Sequence, residues 1–128
     1  MAETSVITNY RRKNLCKITS GAISSIPKIT HIAFGDGGVD DSGEPKTPLA
    51  TQTALNSEIE RYPIDGVTYP VDTTARYTVT IPKNDLPGEE ISEAALVDAE
   101  GNLCAIKNMY VKKKDAGVSF AFTFDDEF

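Results

Sequence analysis

The C-terminal segment GVSFAFTFDDEF (residues 117–128) constrains the fold more than any other part of the chain. Its side chains alternate, with large apolar residues on one face and Ser119, Ala121 and Thr123 on the other, which predicts a strand. The large apolar residues are Val118, Phe120, Phe122 and Phe124. An exposed row of phenylalanines would invite edge pairing, so this face must pack on a helix, on another sheet or on a neighbouring chain. We therefore treat Phe120, Phe122 and Phe124 as interface candidates.

Two further segments of the second half predict strands. Residues 75–82 (ARYTVTIP) alternate in the same way, and their apolar face carries Tyr77, Val79 and Ile81. Residues 91–111 (ISEAALVDAEGNLCAIKNMYV) read as a hairpin, because two apolar runs flank a short polar connection. Three residues of this connection suit a tight turn: Asp98, Gly101 and Asn102.

The first half begins with a predicted helix followed by a strand. Thr8 or Asn9 can cap the helix, and Gly21 can stop it. Residues 28–34 (KITHIAF) then predict a strand. Strict alternation places Ile29 on the face opposite Phe34.

A second helix is predicted within residues 49–64 (LATQTALNSEIERYPI). Leu55, Ile59 and Tyr62 recur at helical spacing, and Pro63 ends the run. With this helix, the element order predicts an α+β fold in which two short helices pack on a mostly antiparallel β-sheet. A length of 128 residues suits one domain, so we expect residues 1–128 to form a single unit.

The strand that ends near Phe34 runs into a glycine-rich corner, Gly35-Asp36-Gly37-Gly38. The glycines can adopt backbone conformations that other residues avoid, and Asp36 can accept hydrogen bonds from nearby amides. These residues and the hairpin turn are our candidates for structural turns. Residues 35–48 as a whole predict an exposed acidic loop.

The corner also raises the question of a ligand site. Its glycines lack the Lys-Ser/Thr ending of a phosphate-binding loop and the spacing of a dinucleotide fingerprint. Its carboxylates are oxygen ligands of the kind that calcium prefers, but their spacing departs from that of the EF-hand. The weak metal candidates are Asp36, Asp40, Asp41 and Glu44.

Catalytic chemistry has little support in this sequence. His31 is the only histidine, so every histidine-dependent catalytic arrangement must use it, and a zinc site would also need Cys16 and Cys104 to converge on it. We read both cysteines as reduced thiols, with Cys104 in the core. We therefore predict no enzymatic activity and no cofactor.

Charge and hydropathy exclude other classes of partner. The net charge of −6 argues against nucleic-acid binding, which needs a basic face. Basic residues cluster near residues 11–17 and 112–114, and solvated surface is the simpler reading of both clusters. We find no secretory signal and no apolar run that could span a membrane.

Four segments in this order resemble the N-terminal domain of the bacteriophage tail-collar fibre proteins. They are VITNYRRKNLCK, ITHIAFGDGG, TQTALNSEIERYPI and EEISEAALVDAEGNLCAIKN, which together extend from Val6 to Asn108. The glycine corner and the hairpin turn are the most specific of the marks. The sequence departs from the family pattern at Tyr10 and Ala95, where glycine is usual, and in a shortened middle region.

The resemblance implies a structural protein of a phage or phage-like tail. The implied role is a fibre-root or adaptor subunit that binds baseplate proteins, tail-fibre proteins or both. It also implies a homo-oligomer, with a trimer as the expected state, located in a virion or tail particle after synthesis in the bacterial cytoplasm. The alternative is a calcium-dependent module that recognises a carbohydrate or surface receptor through the acidic loop. A small hydrolase that works through His31 is a third hypothesis.

Overall fold

The computed structural model describes residues 4–128, which contain one helix and eight strands. In chain order these are β1 (Thr4–Ile7), α1 (Asn9–Thr19), β2 (Ile29–Gly35), β3 (Glu58–Pro63), β4 (Gly66–Val71), β5 (Thr74–Ile81), β6 (Glu90–Asp98), β7 (Leu103–Lys113) and β8 (Phe120–Glu127). The strands form two antiparallel sheets. Sheet 1 has the order β1-β7-β6-β2-β3, and sheet 2 has the order β4-β5-β8.

The predicted α+β class is wrong, because the fold consists mainly of β-strands and the second predicted helix does not form. Residues 58–63 of that segment are strand β3, in which Tyr62 pairs with Ile32 of β2. The buried strand β2 needs hydrogen-bond partners along both of its edges, and β3 supplies those on one side. A short amphipathic run is marginal as an isolated helix, so this long-range pairing decides its structure.

Helix α1 forms where it is predicted, although an ion pair rather than an apolar stripe attaches it. Thr8 caps the helix, because its Oγ1 accepts a hydrogen bond from the Arg11 amide at 3.3 Å and donates one to the Leu103 carbonyl at 2.7 Å. Arg11 is the buried residue of the helix, and its guanidinium donates two hydrogen bonds to Asp126 of β8, at 2.7 and 2.6 Å. Burial favours a lower pKa for Arg11, but the hydrogen bonds to Asp126 and the negative charge of that carboxylate together raise the pKa. The helix is thus joined directly to sheet 2.

The main core lies between the two sheets. Strands β5 and β8 show the predicted alternation, with Val79, Ile81, Phe122 and Phe124 buried against sheet 1. Phe122 meets the ring of Phe34 edge-on, with 5.3 Å between the centroids. A second sheet of the same chain therefore covers the apolar face of β8.

This arrangement provides a cover within the chain for the three phenylalanines that we treated as interface candidates. The side chains of Phe122 and Phe124 are buried in the chain's own core, and Phe120, which is partly buried, packs against that core. Sequence alone left three possible covers for this face, and sheet 1 is the one that the fold uses.

One facing prediction in β2 is also wrong. Ile29 packs in the same cluster as Ile32 and Phe34, whereas strict alternation places it on the opposite face from Phe34. The register between β2 and β6 shifts between Ile29 and His31. The extra residue of such a bulge reverses the facing of the residues before it.

The two sheets are continuous on one side of the sandwich and separate on the other. Where β3 runs into β4, the Ile64 amide bonds to the Thr30 carbonyl of sheet 1, and the next amide, that of Asp65, bonds to the Thr78 carbonyl of sheet 2. On the other side, β1 is the outer strand of sheet 1 and β8 is the outer strand of sheet 2.

Candidate docking loop and its anchor

Residues 36–57, which we call the crossing loop, run over the outer face of sheet 1. Leu55 of the loop packs with buried apolar residues of β2, β6 and β7 in a second cluster. The carbonyl of Lys46 accepts a hydrogen bond from the Asn108 side chain at 2.9 Å, and the Ala50 carbonyl accepts one from the Asn9 amide at 2.7 Å. Within residues 35–48, which we expected to form an exposed acidic loop, residues 36, 40–43, 46 and 47 are exposed, whereas Gly35, Gly38, Pro45 and Pro48 are buried.

Both ends of the crossing loop are bound by one buried carboxylate. Glu93 of β6 has no solvent-exposed surface. Its Oε2 accepts hydrogen bonds from the amides of Gly37 at 2.9 Å and Ser57 at 2.8 Å, and its Oε1 accepts one from the Asn56 amide at 2.9 Å. Three backbone donors compensate the carboxylate for the loss of water, and they hold the two ends of the loop at one point.

None of the three glycines of the corner has a positive φ, so backbone conformation does not require glycine there. Close packing does. A Cβ atom at Gly35 would collide with Glu93 and the Ser57 carbonyl, and one at Gly38 would collide with the Ser92 carbonyl. A Cβ at Gly37 would lie 3.0 Å from Glu93 Oε2. The expected conformational freedom is thus not the reason for these glycines.

From the sequence we expected the Asp36 side chain to hold the corner by accepting hydrogen bonds from nearby amides. The structure assigns this role to other residues. The Asp36 side chain is exposed, and its amide donates to the Ser57 carbonyl at 3.0 Å. Glu93 and Ser92, whose Oγ accepts a hydrogen bond from the Gly38 amide at 2.9 Å, take that role. Sequence reasoning missed Glu93. The signal that could have identified it is a carboxylate within the apolar run of β6, because a buried charge needs partners.

Residues 40–43 are four consecutive exposed residues of the loop, and we call them the tip. Asp40 Oδ1 accepts hydrogen bonds from the amides of Ser42 at 2.8 Å and Glu44 at 3.1 Å, and Gly43 adopts a φ of 80° that favours glycine. The Tyr110 hydroxyl of β7 donates to the Glu44 carboxylate at 3.0 Å. These bonds order the tip and leave the Asp41 side chain on the surface.

The weak metal candidates do not form a shared site. Among residues 4–128, no group of three or more acidic, histidine or cysteine side chains is placed to hold a metal ion. Asp40 and Glu44 are engaged by the backbone and by Tyr110, while Asp36 and Asp41 are exposed. The crossing loop therefore presents carboxylates on its surface without gathering them around a cation.

The hairpin turn between β6 and β7 also attaches helix α1. Asp98 Oδ1 accepts hydrogen bonds from the amides of Glu100 at 2.9 Å and Asn102 at 3.0 Å, and Gly101 has a φ of 85°. The Tyr10 hydroxyl donates to Asp98 Oδ2 at 2.6 Å. Burial and this hydrogen bond raise the pKa of Tyr10.

His31, Cys16 and Cys104, the residues considered for catalysis, lie outside the crossing loop. His31 Nδ1 lies 2.9 Å from Thr30 Oγ1. Cys104 is buried, which raises the pKa of its thiol to about 12 and keeps it protonated, whereas Cys16 is exposed on α1. Within the described residues 4–128, these three side chains belong to no cluster that could hold a metal ion.

The family model for the N-terminal part of phage tail-collar fibre proteins matches residues 1–120 of the chain. The chain belongs to this family. No curated protein and no solved structure matches it. As a tail-collar fibre protein it is a structural component of a bacteriophage tail fibre, and it associates with other components of the tail.

The family's most specific marks lie at the two anchors described above. The Gly35–Gly38 corner fits around Glu93, and the turn at residues 98–102 binds α1. The helix of this tail-fibre protein, which is the only helix within residues 4–128, is too short to cross a membrane.

Proposed function

We propose that residues 1–128 form an attachment domain, a fibre-root or adaptor subunit that binds the baseplate of a phage or phage-like tail. The observation that carries this proposal is the crossing loop, which has an acidic tip and whose two ends are hydrogen-bonded to the buried Glu93 carboxylate. A surface that must hold a fibre under load benefits from a preformed tip, since little ordering entropy is lost when the partner binds.

The charge of the tip supports a partner with a basic surface. Asp40 and Asp41 are exposed, and the whole chain is acidic with a net charge of −6. Complementary charge at a docking surface speeds encounter and helps to exclude wrong partners. The proposal includes self-association as a trimer, location in the tail particle and synthesis in the bacterial cytoplasm. It includes no catalytic role.

A particle-incorporation experiment tests the proposal. A producing strain that lacks the chain's gene is complemented with wild type, with Asp41→Lys or with Asp72→Lys, and tail particles are purified and labelled with immunogold. Asp72 is an exposed carboxylate in the turn between β4 and β5, so its variant controls for the change in charge.

We expect label at the baseplate end with wild type and Asp72→Lys, and much less label with Asp41→Lys. Label along the tail shaft, or intact tails without label in the wild type, contradicts baseplate attachment. Equal labelling by all three chains contradicts the role of the tip.

A further inference from the structure

A cleft separates the two sheets on the side where the chain does not join them. Its volume is about 620 Å³, and it is lined by residues 4–7 of β1, residues 123–127 of β8, and Ala105 and Lys107 of β7. Strand β1 pairs with β7 alone and strand β8 with β5 alone, so each has a second edge without a strand partner among residues 4–128. Two strand edges with unpaired backbone groups therefore border the same cleft.

The opposite side of the sandwich illustrates how such an opening can be closed. There the backbone of residues 64–65 passes from the ladder of sheet 1 to that of sheet 2 without interruption. At the cleft, no segment within residues 4–128 makes the same connection. One added strand could pair with both β1 and β8, because a strand uses its two edges independently.

The lining of the cleft indicates the chemistry of that strand. Ala105 and Phe124 are buried and apolar, whereas Asp125 and Glu127 are exposed on β8. Asp125 is paired with Arg76 at 2.8 Å, and Asp126 is held by Arg11. The Glu127 carboxylate makes no ion pair with any residue from 4 to 128.

A hydroxyl at the β1 side of the cleft also lacks a partner. The Oγ1 atom of Thr4 is buried and makes no hydrogen bond within the described part of the chain. Buried polar groups without partners are rare in folded proteins, so a donor or acceptor from an added strand would suit this hydroxyl. The lining thus has apolar surface, and it has a carboxylate and a hydroxyl for which residues 4–128 supply no ion-pair or hydrogen-bond partner, respectively.

We propose that this cleft accepts an extended strand from another tail protein by β-strand addition. The strand carries small apolar side chains towards Ala105 and Phe124 and a lysine or arginine towards Glu127. A second copy of β8 is a poor occupant, because it would place acidic residues 125–127 against one another. The inference rests on the geometry of the sheets and is independent of baseplate attachment.

A model peptide tests this inference on the purified chain. The probe is a fluorescent peptide of alternating lysine and valine, about eight residues long, which is roughly the length of one strand. Binding is followed by fluorescence anisotropy, and hydrogen exchange maps the protected amides. We expect saturable binding and slower exchange in β1 and β8.

Two matched controls separate strand addition from charge attraction alone. A peptide of the same sequence with alternate backbone nitrogens methylated keeps its charge but loses donors, and we expect it to bind about tenfold more weakly or worse. Glu127→Lys should weaken binding of the unmodified peptide by about threefold. Glu60→Lys, which changes an exposed carboxylate on the distant outer strand β3, should leave it unchanged.

Several results would overturn the proposal. They are the absence of saturable binding, equal binding of the methylated peptide, and protection confined to strands other than β1 and β8. Self-association of the free chain that protects β1 and β8 would also overturn it, since the occupant would then be a second copy. None of these results depends on whether the chain is found at the baseplate.

Discussion

The Glu93→Gln substitution tests whether one carboxylate holds both ends of the crossing loop. The glutamine oxygen can take the Oε2 position, where Gly37 and Ser57 donate, but its NH₂ group then meets the Asn56 amide, donor against donor. One charge-assisted hydrogen bond is lost, two are weakened, and a partly buried N–H is left without an acceptor. We expect the free energy of unfolding to fall by about 3 kcal/mol.

Urea denaturation measures this loss, and limited proteolysis shows where it acts. The crossing loop should become sensitive to protease at urea concentrations that leave the sandwich folded, because its ends open first. Glu90→Gln is the matched control at the exposed start of β6, and it should change the free energy of unfolding by less than about 0.5 kcal/mol. If the Glu93→Gln chain is as stable as that control, Glu93 does not hold the ends of the crossing loop.

Three further predictions concern Arg11, Gly38 and Cys104. Arg11→Met leaves Asp126 buried and unpaired, so the free energy of unfolding measured by urea denaturation should fall by about 3 kcal/mol or more. Adding Asp126→Leu to the same chain should largely restore it, and no recovery would contradict this account. Gly38→Ala drives a methyl group into the Ser92 carbonyl and should cost about 3 kcal/mol or prevent folding, whereas Gly66→Ala, with nothing within 4 Å, should be nearly neutral in the same assay. Burial raises the pKa of the Cys104 thiol from 9.0 to about 12. Between these pH values the folded state keeps a proton that the unfolded state releases. The free energy of unfolding should therefore fall as pH rises through this range. Cys104→Ala should flatten that fall in urea denaturation at several pH values, and an unchanged slope would show that other groups cause it.

The features predicted correctly from the sequence are those that depend on near neighbours along the chain. Thr8 caps α1 through an amide three residues away, and Asp98 closes its turn through amides two and four residues away. The alternation of β5 and β8 likewise identifies their buried faces, because side chains alternate along any strand. The family resemblance rests on the same local marks.

The crossing loop needed information that no local pattern contains. Its anchor, Glu93, lies 56 residues from Gly37 and 36 from Ser57. Nothing in its immediate sequence indicates which amides it binds. Asp36 seemed the better acceptor because it is adjacent to the corner, but the chain brings the buried carboxylate of β6 closer to those donors.

By itself, the sequence determined the first helix, the hairpin, the buried faces of β5 and β8, and membership of a tail-fibre family. Tertiary structure decided that residues 58–63 form a strand, that sheet 1 covers the phenylalanines, and that the acidic loop is anchored at both ends. The physical reason is that a short segment can satisfy its backbone groups in more than one way. The neighbouring strand, which is distant in sequence, selects the one that also buries its apolar side chains.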